Sequence, residues 1–288
     1  MYEDLGSLFG KGFDTWKNNL ILCSPFILNV FFSILAILFV LIAFLSSVEL
    51  MDNLETFSPE QFFSKIIDFF PRIILAILLA ILLVSMISSF FEAGAIGMAK
   101  QSLEIGKATI EEMWSSGKKN FINMFLLSIL TGLIYMVGLI FLLPGIARVP
   151  WNQPYALGEN PQSLGILLTG LILFIIYSVL ISIVLAMAPY TLVVDTMGPI
   201  KAVKASLEFF RYNKSDVVIV WLVVVALSIG LQMIGSSLAT ALDSMTFQPL
   251  SMLTGLVSIL VLAPLATIWW TRLYMTRTDK LHEGERPW

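Results

Sequence analysis

The stretch from Ala188 to Lys214, "APYTLVVDTMGPIKAVKASLEFFRYNK", changes character along its length. It begins with apolar residues of the kind that cross a bilayer, passes one carboxylate at Asp195, and breaks at Gly198-Pro199. It then continues as an amphipathic segment that carries four basic residues. Proline suits the first turn of a helix, where a missing N–H costs no hydrogen bond. The pattern therefore predicts that the chain breaks at Gly198-Pro199 to start a helix lying along the membrane surface.

The composition of the whole chain supports a membrane location for this stretch. Apolar residues make up 58% of the 288 residues and charged residues 13%, whereas ordinary globular chains have roughly 45–50% and about 25%. The apolar residues also form long unbroken runs, which favour helices over the alternating strands of a membrane barrel. We therefore predict an all-α polytopic membrane protein, with residues 1–288 forming a single integral membrane domain.

Six apolar runs are long enough to span a bilayer, which requires about 20 residues of helix. They are Leu20–Leu45, Ile73–Met98, Phe121–Ala147, Leu164–Val194, Val217–Leu242 and Leu250–Trp270. The first run exceeds the ~7–15 apolar residues of a secretory signal, so a retained span is expected there. The fourth run is so long that part of it must tilt, kink or leave the membrane.

Basic residues are distributed unequally between the two sides that these spans define. Fourteen lysines and arginines fall in the N-terminal segment, the second-to-third link, the fourth-to-fifth link and the C-terminal tail, against three on the other side. Short cytoplasmic loops of membrane proteins carry such an excess. We therefore predict that both termini, including the polar tail 276–288, are cytoplasmic.

Three segments that precede a membrane hairpin share one plan. Each has helix-spaced apolar residues, then an aromatic residue, then an Asn/Lys cluster, and the three segments are 5–19, 108–120 and 200–214. We predict three parallel repeats, at approximately 1–98, 103–194 and 199–275, each an interfacial amphipathic helix followed by a transmembrane hairpin. Parallel repeats are related by an axis along the membrane normal. The alternative is that charged inner loops give any polytopic protein a similar pattern.

Three short blocks carry a resemblance to known families: "LPGI" at 143–146, "APYTLVVDTMGPIKAVKAS" at 188–206 and "RLYM" at 272–275. The chain resembles YciC-like bacterial inner-membrane proteins, the membrane domain attached to glycerophosphoryl diester phosphodiesterases, and related archaeal membrane proteins. The resemblance implies a multispanning protein of a prokaryotic inner membrane with a largely undefined role. Because these 288 residues include no soluble phosphodiesterase domain, we expect no hydrolase activity.

Ionisable residues at membrane depth are costly and are candidates for function. Glu92 lies among apolar and small residues in "SSFFEAGAIGMAK", and for this residue a functional and a structural role are evenly balanced. Asp195 can instead serve the positive end of the helix that follows it. Arg148 can extend to the membrane surface. Pro189 frees a backbone carbonyl four residues earlier, which either lines a cavity or is bonded by a neighbouring helix.

Motifs for chemistry are absent from the sequence. A single cysteine and a single histidine provide neither an internal disulfide nor a zinc site, so we expect no metal, no cofactor and no catalytic residue. Nothing in the charge pattern suggests nucleic acid. We expect a non-enzymatic protein.

Membrane lipids are the expected partners. Amphipathic helices with basic edges bind anionic leaflets, and we predict that Lys201, Lys204 and Arg211 lie at headgroup level while Ile200 and its helical neighbours Val203, Leu207 and Phe210 face hydrocarbon or the bundle. The alternatives are a transporter or channel for a small solute that uses Glu92, and a membrane partner subunit of a separate enzyme.

Overall fold

The computed structural model describes residues 3–47, 59–149, 161–241 and 254–281, and every regular element in these ranges is helical. The helices are α1 (Leu5–Asn18), α2 (Ser24–Ser47), α3 (Pro59–Ile105), α4 (Ile110–Val137), α5 (Leu143–Ile146), α6 (Pro161–Val184), α7 (Ala188–Val194), α8 (Pro199–Tyr212), α9 (Lys214–Ala241) and α10 (Ala263–Arg277). Short 3-10 turns join α1 to α2 and α4 to α5, and a π-helical turn, Ser258–Leu262, precedes α10.

Six helical segments are long and apolar enough to cross a membrane, which confirms the predicted number of spans. They are Leu20–Ser46, Phe70–Ile105, Ile110–Phe141, Pro161–Val194, Lys214–Ser237 and Thr254–Arg277. These segments indicate a multi-pass membrane protein. The second and third are longer than predicted, because α3 and α4 continue as helix through the charged residues that flank their apolar runs.

The parts of the sequence predicted to form outer loops are covered only in part. Residues 48–58, 150–160 and 242–253 lie outside the described residues, as does the end of the tail with His282. The first turns of α3 precede its apolar run, and the helix continues through Pro71 without interruption.

The fourth span is broken, as its length led us to expect. The break lies between α6 and α7, where Pro189 stands in the first turn of α7 and has no N–H to offer the carbonyl of Leu185. The Ala188 N–H bonds that carbonyl instead, at 3.0 Å. Pro144 and Pro264 likewise stand in the first turns of α5 and α10.

The turn between α7 and α8 lies between the predicted end of the fourth run at Val194 and the predicted helix start at Pro199. The helix already ends at Val194, and Thr196 adopts a left-handed φ of 51°. The Met197 N–H bonds the Leu192 carbonyl at 2.9 Å, which is the closing bond of a Schellman motif. Pro199 does begin α8, as predicted, after Gly198 in an extended conformation.

The face by which α8 packs on the bundle lies beside the predicted apolar stripe. Ala202, Ser206 and Phe209 are buried, whereas Ile200 and Leu207 are exposed. Ser206 Oγ donates to the Val184 carbonyl at 2.8 Å, and Thr191 Oγ1 donates to the Ala202 carbonyl at 3.2 Å. Ala202 and Ser206 are small enough to let α8 approach the broken backbone between α6 and α7, which longer apolar side chains at these positions would hold apart.

The buried core lies toward the end of the bundle where α1 and α8 pack. Its largest buried side chains come from α1, α3, α4, α7 and α10 and include Leu8, Ile96, Met113, Leu192 and Leu273. By contrast, large apolar side chains along α2 and the first half of the apolar run of α3 are exposed, as expected for surfaces that face lipid tails. The most deeply buried part of the protein therefore lies at one end of the spans.

Replacing Thr196 by glycine should stabilise the protein. A β-branched residue is disfavoured at positive φ, and glycine removes that strain at some cost in chain entropy. We expect Thr196→Gly to raise the free energy of unfolding by up to about 1 kcal/mol, measured by thermal unfolding in detergent. Ala205→Gly, inside α8, is the matched control and should lower stability by about 1 kcal/mol. A lower unfolding temperature for Thr196→Gly would contradict the turn geometry.

Candidate functional site

The last helix, α10, is joined by side-chain bonds to three distant parts of the chain. Arg272 bonds Glu3, Tyr274 bonds Asp195 and Arg277 bonds Asp216. We call this end of the bundle the charged end. Its three acidic residues lie before α1, after α7 and in the first turn of α9, so that α10 fixes where each of those elements meets the bundle.

The pair Arg272–Glu3 is the most buried ion pair among the described residues. Arg272 is 1% exposed and Glu3 9% exposed. Its Nε donates to both carboxylate oxygens, at 3.0 and 3.2 Å, and its Nη2 donates to Oε1 at 2.7 Å. Such fork-shaped pairs are strong and orientation-specific. A guanidinium so fully removed from water requires this partner.

Two side chains bond the carboxylate of Asp195, one of the candidates predicted from the sequence. The Tyr274 hydroxyl donates to one Asp195 oxygen at 2.6 Å, and the Lys280 ammonium pairs with the other. The same ammonium lies 4.9 Å from the centre of the Tyr274 ring. Asp195 therefore joins α7 to the end of α10, a contact that the sequence did not suggest.

Side-chain donors also connect the amphipathic segments to carbonyls in the returning spans. Trp16 Nε1 donates to the Leu260 carbonyl at 3.1 Å, and Ser116 Oγ donates to the Ala93 carbonyl at 3.0 Å, in parallel with the Ser206–Val184 bond of α8. Leu260 is the carbonyl that Pro264 leaves unbonded. Cys23 Sγ bonds the same carbonyl at 3.0 Å.

The three predicted basic residues of α8 lie on its exposed side. Lys201, Lys204 and Arg211 are all exposed, and among the described residues none of them forms an ion pair. Glu208 is exposed beside them. We call Lys201, Lys204 and Arg211 the basic flank. It contrasts with the charged end, where the arginines are buried and bonded.

Glu92 occupies a different environment, inside the bundle and between two cavities. The larger, of about 400 Å³, lies between α3, α4 and the broken fourth span; its lining includes Leu127, Ser128, Thr131, Tyr135 and Pro189. The smaller, of about 260 Å³, lies between α2, α3, α7 and α10; its lining includes Phe26, Asn29, Ser88, Phe91, Tyr190 and Thr267. We call the smaller one the aromatic cavity.

The Glu92 side chain is exposed to these cavities and has no hydrogen-bond or ion-pair partner among the residues that the structure describes. About eight residues separate it from Lys100, or roughly 12 Å along the helix axis. Lys100 donates to the Val194 carbonyl at the charged end at 3.2 Å. Glu92 thus lies well inside the span, next to open space.

The predicted candidates therefore separate into three places. Glu92 and Pro189 line the same cavity, Asp195 is part of the charged end, and the basic flank lies on the outer side of α8. Arg148 is exposed after α5, consistent with extension toward a surface. In the described ranges no group of three or more acidic, histidine or cysteine residues could hold a metal ion.

Sequence reasoning missed several residues that the fold brings together. Asn29, Tyr190 and Thr267 reach the aromatic cavity from three helices that are distant in sequence. Polar residues within apolar runs were the available signal, but many such residues only bond their own helix, as Thr169 does with Gly165. Arg272 was counted as a topology marker, and its pairing with Glu3 could not be seen before α1 was placed.

Comparison with known proteins gives a family and a distant relative. A family described as "Domain of unknown function (DUF7847)" matches residues 36–275. An uncharacterised protein of Archaeoglobus fulgidus is 23% identical over 308 aligned positions, which cover 98% of each chain. No solved structure matches the chain.

A double-mutant cycle tests the buried ion pair at the charged end. Arg272→Gln and Glu3→Gln should each lower the free energy of unfolding by about 3–5 kcal/mol, because each removes one side of a buried, fork-shaped ion pair. The double mutant should lose clearly less than the sum of the two single losses. Unfolding in detergent, followed by helix signal, measures all four proteins.

Arg148→Gln is the control for this cycle, since its guanidinium is exposed and should contribute less than about 1 kcal/mol. Additive losses for Arg272 and Glu3 would contradict a direct bond between them.

Proposed function

Because the chain belongs to the DUF7847 family, a domain of unknown function, its role has to be argued from its own residues, and we propose that it is a non-enzymatic membrane protein that binds lipid. The binding surface is the basic flank of α8, at the headgroup level of one leaflet. Anionic lipids are the expected partners. The proposal adds no catalytic step, cofactor or metal.

The observation that carries this proposal is the separation of the two sides of α8. Its packed side is held to the bundle by Ala202, Ser206 and Phe209, with hydrogen bonds to Val184 and from Thr191. Its basic flank makes no ion pair within the described protein. A helix fixed in this way can present charge to headgroups without giving up any contact of the fold.

Ile200 and Leu207 strengthen the same argument. Both are exposed large apolar residues on α8, 63% and 46% exposed, beside the basic flank. An amphipathic helix at an interface inserts such side chains below the headgroups while its basic residues stay at their level. In this proposal Ile200 and Leu207 of the predicted apolar stripe therefore face hydrocarbon. Val203 and Phe210, the other two residues of the stripe, are half-buried.

The expected size of the effect follows from the number of charges. Each basic residue near an anionic leaflet contributes about 1 kcal/mol, within a screening length of about 10 Å. Three residues together contribute roughly 3 kcal/mol if their effects add, which corresponds to about a hundredfold preference for anionic over neutral lipid.

We place this surface on the cytoplasmic leaflet of a prokaryotic inner membrane. The excess of basic residues on one side of the spans supports that orientation. The likeness to YciC-like proteins and to the membrane domain of glycerophosphoryl diester phosphodiesterases supports the same location, as a resemblance in short sequence blocks.

The three-repeat organisation is part of the proposal, and three equivalent asparagines support it. Asn19, Asn120 and Asn213 each donate a side-chain N–H to the carbonyl four residues earlier, at 3.1 Å in all three cases. Each also follows a segment that bonds a returning span. The segments differ in one respect, since α1 and α8 end at Asn19 and Asn213 whereas α4 continues through Asn120.

A transporter or channel for a small solute is the second candidate. The specific observation in its favour is that two cavities meet at Glu92 inside the spans. Their linings also include polar side chains, among them Asn29, Ser128 and Thr267, that could contact a solute. Flux into vesicles containing the purified protein would distinguish this role from lipid binding. Service as a membrane subunit for a separate enzyme stays a further alternative, without a structural observation that favours it.

Cysteine labelling tests the orientation. In a Cys23→Ser background, which keeps a donor for the Leu260 carbonyl, thiols introduced at Lys107 and Lys204 should react only after the membrane is permeabilised. Thiols introduced at Asn53 and Asn160, which lie outside the described residues, should react in intact cells. Labelling of Lys204→Cys from outside intact cells would reverse the proposed orientation.

Neutralising the basic flank tests the lipid proposal. Lys201→Gln, Lys204→Gln and Arg211→Gln together should leave the fold intact, because burial on α8 is carried by its other side. They should remove most co-purifying anionic lipid and reduce the thermal stabilisation that added anionic lipid gives. Native mass spectrometry and thermal unfolding with phosphatidylglycerol measure the two effects.

The matched control removes the same charge from another segment on the same side of the spans: Lys107→Gln, Lys118→Gln and Lys119→Gln, all exposed. This control should keep most of the bound lipid. Equal lipid loss in both triple mutants would indicate a general charge effect and contradict a site on α8. Unchanged lipid with loss of solute flux would favour the transporter.

A further inference from the structure

The aromatic cavity combines three features that suit one class of ligand, and we propose that it binds an organic ammonium cation beside Glu92. This site is separate from the basic flank of α8 and has the opposite charge. The features are an unpaired carboxylate, aromatic rings, and hydroxyl oxygens whose protons are already donated to other groups.

The carboxylate is the first feature. Glu92 borders both cavities, and the part of the chain that the structure describes supplies no cation to it. By contrast, the acidic residues of the charged end, Glu3, Asp195 and Asp216, are all bonded to basic side chains. Among the residues that line these two cavities, Glu92 is the acidic group left for an external positive charge.

Aromatic rings are the second feature. Phe26, Phe91 and Tyr190 line the cavity together with Glu92. Aromatic rings attract ammonium and quaternary ammonium groups through their electron-rich faces. The Phe91 ring is held in place by stacking on Phe32, at 5.8 Å between ring centres. Tyr190 is similarly supported by Trp270, at 6.3 Å.

The hydrogen-bonding state of the polar lining is the third feature. Thr267 donates its hydroxyl proton to the Ala263 carbonyl at 3.0 Å, and Ser88 donates its proton to Asn29 Oδ1 at 3.2 Å. Each hydroxyl oxygen keeps lone pairs that can only accept. These oxygens can therefore accept hydrogen bonds from a ligand that is rich in N–H donors and carries positive charge.

The size of the space selects against a bare ion. About 260 Å³ greatly exceeds the roughly 10–15 Å³ that one water requires. The cavity of about 400 Å³ on the other side of Glu92 is lined partly by Met124, Leu127 and Leu185, which suits an apolar substituent of the ligand. The ammonium group can come from a lipid headgroup or from a small water-borne amine, and the experiment separates these sources.

Binding is measured on the full chain in detergent and in lipid nanodiscs. Tetramethylammonium and ethylammonium chloride, titrated calorimetrically in detergent, represent a water-borne amine. Nanodiscs of phosphatidylglycerol with and without phosphatidylethanolamine represent the lipid source, with retained lipid counted by native mass spectrometry. We expect saturable binding from at least one source, against no binding of sodium chloride at equal ionic strength.

Three variants test the assignment of this binding to the cavity. Glu92→Gln keeps the shape of the side chain and removes an unpaired charge from the spans, so it should fold at least as stably. It should weaken ammonium binding by about 10- to 100-fold, the range for a hydrogen bond to a charged group. Phe26→Leu should weaken it severalfold. Glu104→Gln, on the same helix but outside both cavities, should bind as the wild type does.

The proposal fails if Glu92→Gln binds either form of ammonium with wild-type affinity, or if the wild type binds neither. Its outcome is independent of the lipid proposal, because Glu92→Gln leaves the basic flank intact. If Glu92→Gln loses ammonium binding but retains phosphatidylglycerol, the result supports the cavity site and leaves the lipid proposal unaffected. Loss of phosphatidylglycerol in the α8 triple mutant, with retained ammonium binding, would support both.

Discussion

The fold depends on the burial of one guanidinium group, that of Arg272, away from water. Arg272 is almost fully buried near the end of the last span, and the Glu3 carboxylate pairs with it. Because an unpaired buried charge costs several kcal/mol, the segment before α1 must lie against α10. Arg277 reinforces this placement by donating to the Glu3 carbonyl at 2.9 Å while it pairs with Asp216. The first and last helices are thus joined across nearly the whole sequence.

A second constraint is the backbone of the broken spans. Where proline interrupts a helix inside a membrane, the carbonyl it leaves unbonded needs a donor from elsewhere in the protein. Trp16 provides one for Leu260, and Ser206 provides one for the neighbouring break at Val184. The amphipathic helices are therefore structural parts of the bundle. Their exposed sides are free for lipid because their packed sides already serve the spans.

The acidic residues of the charged end differ from Glu92 in that they have basic partners. At the charged end, Glu3, Asp195 and Asp216 each have a basic partner, and Asp195 also accepts a bond from Tyr274. Glu92 faces open cavities instead. Intramembrane carboxylates without partners are maintained at an energetic cost, which is why Glu92 is the stronger candidate for ligand binding. Basic residues show the same contrast. Those of the charged end are paired with carboxylates, whereas the basic flank of α8 forms no ion pair among the described residues.

The amino-acid pattern alone determined the helical class, the six spans and the start of α8 at Pro199, because apolar runs and proline act locally. It also pointed to Glu92, since a carboxylate in an apolar run is conspicuous in any fold. It did not reveal the left-handed turn at Thr196 or the packed side of α8, because the Thr196 turn and the Ser206 bond depend on where neighbouring helices lie. Only the tertiary structure brought Asn29, Tyr190 and Thr267 to one cavity and Arg272 to Glu3. Contacts between residues so far apart in sequence leave no periodic signal along the chain.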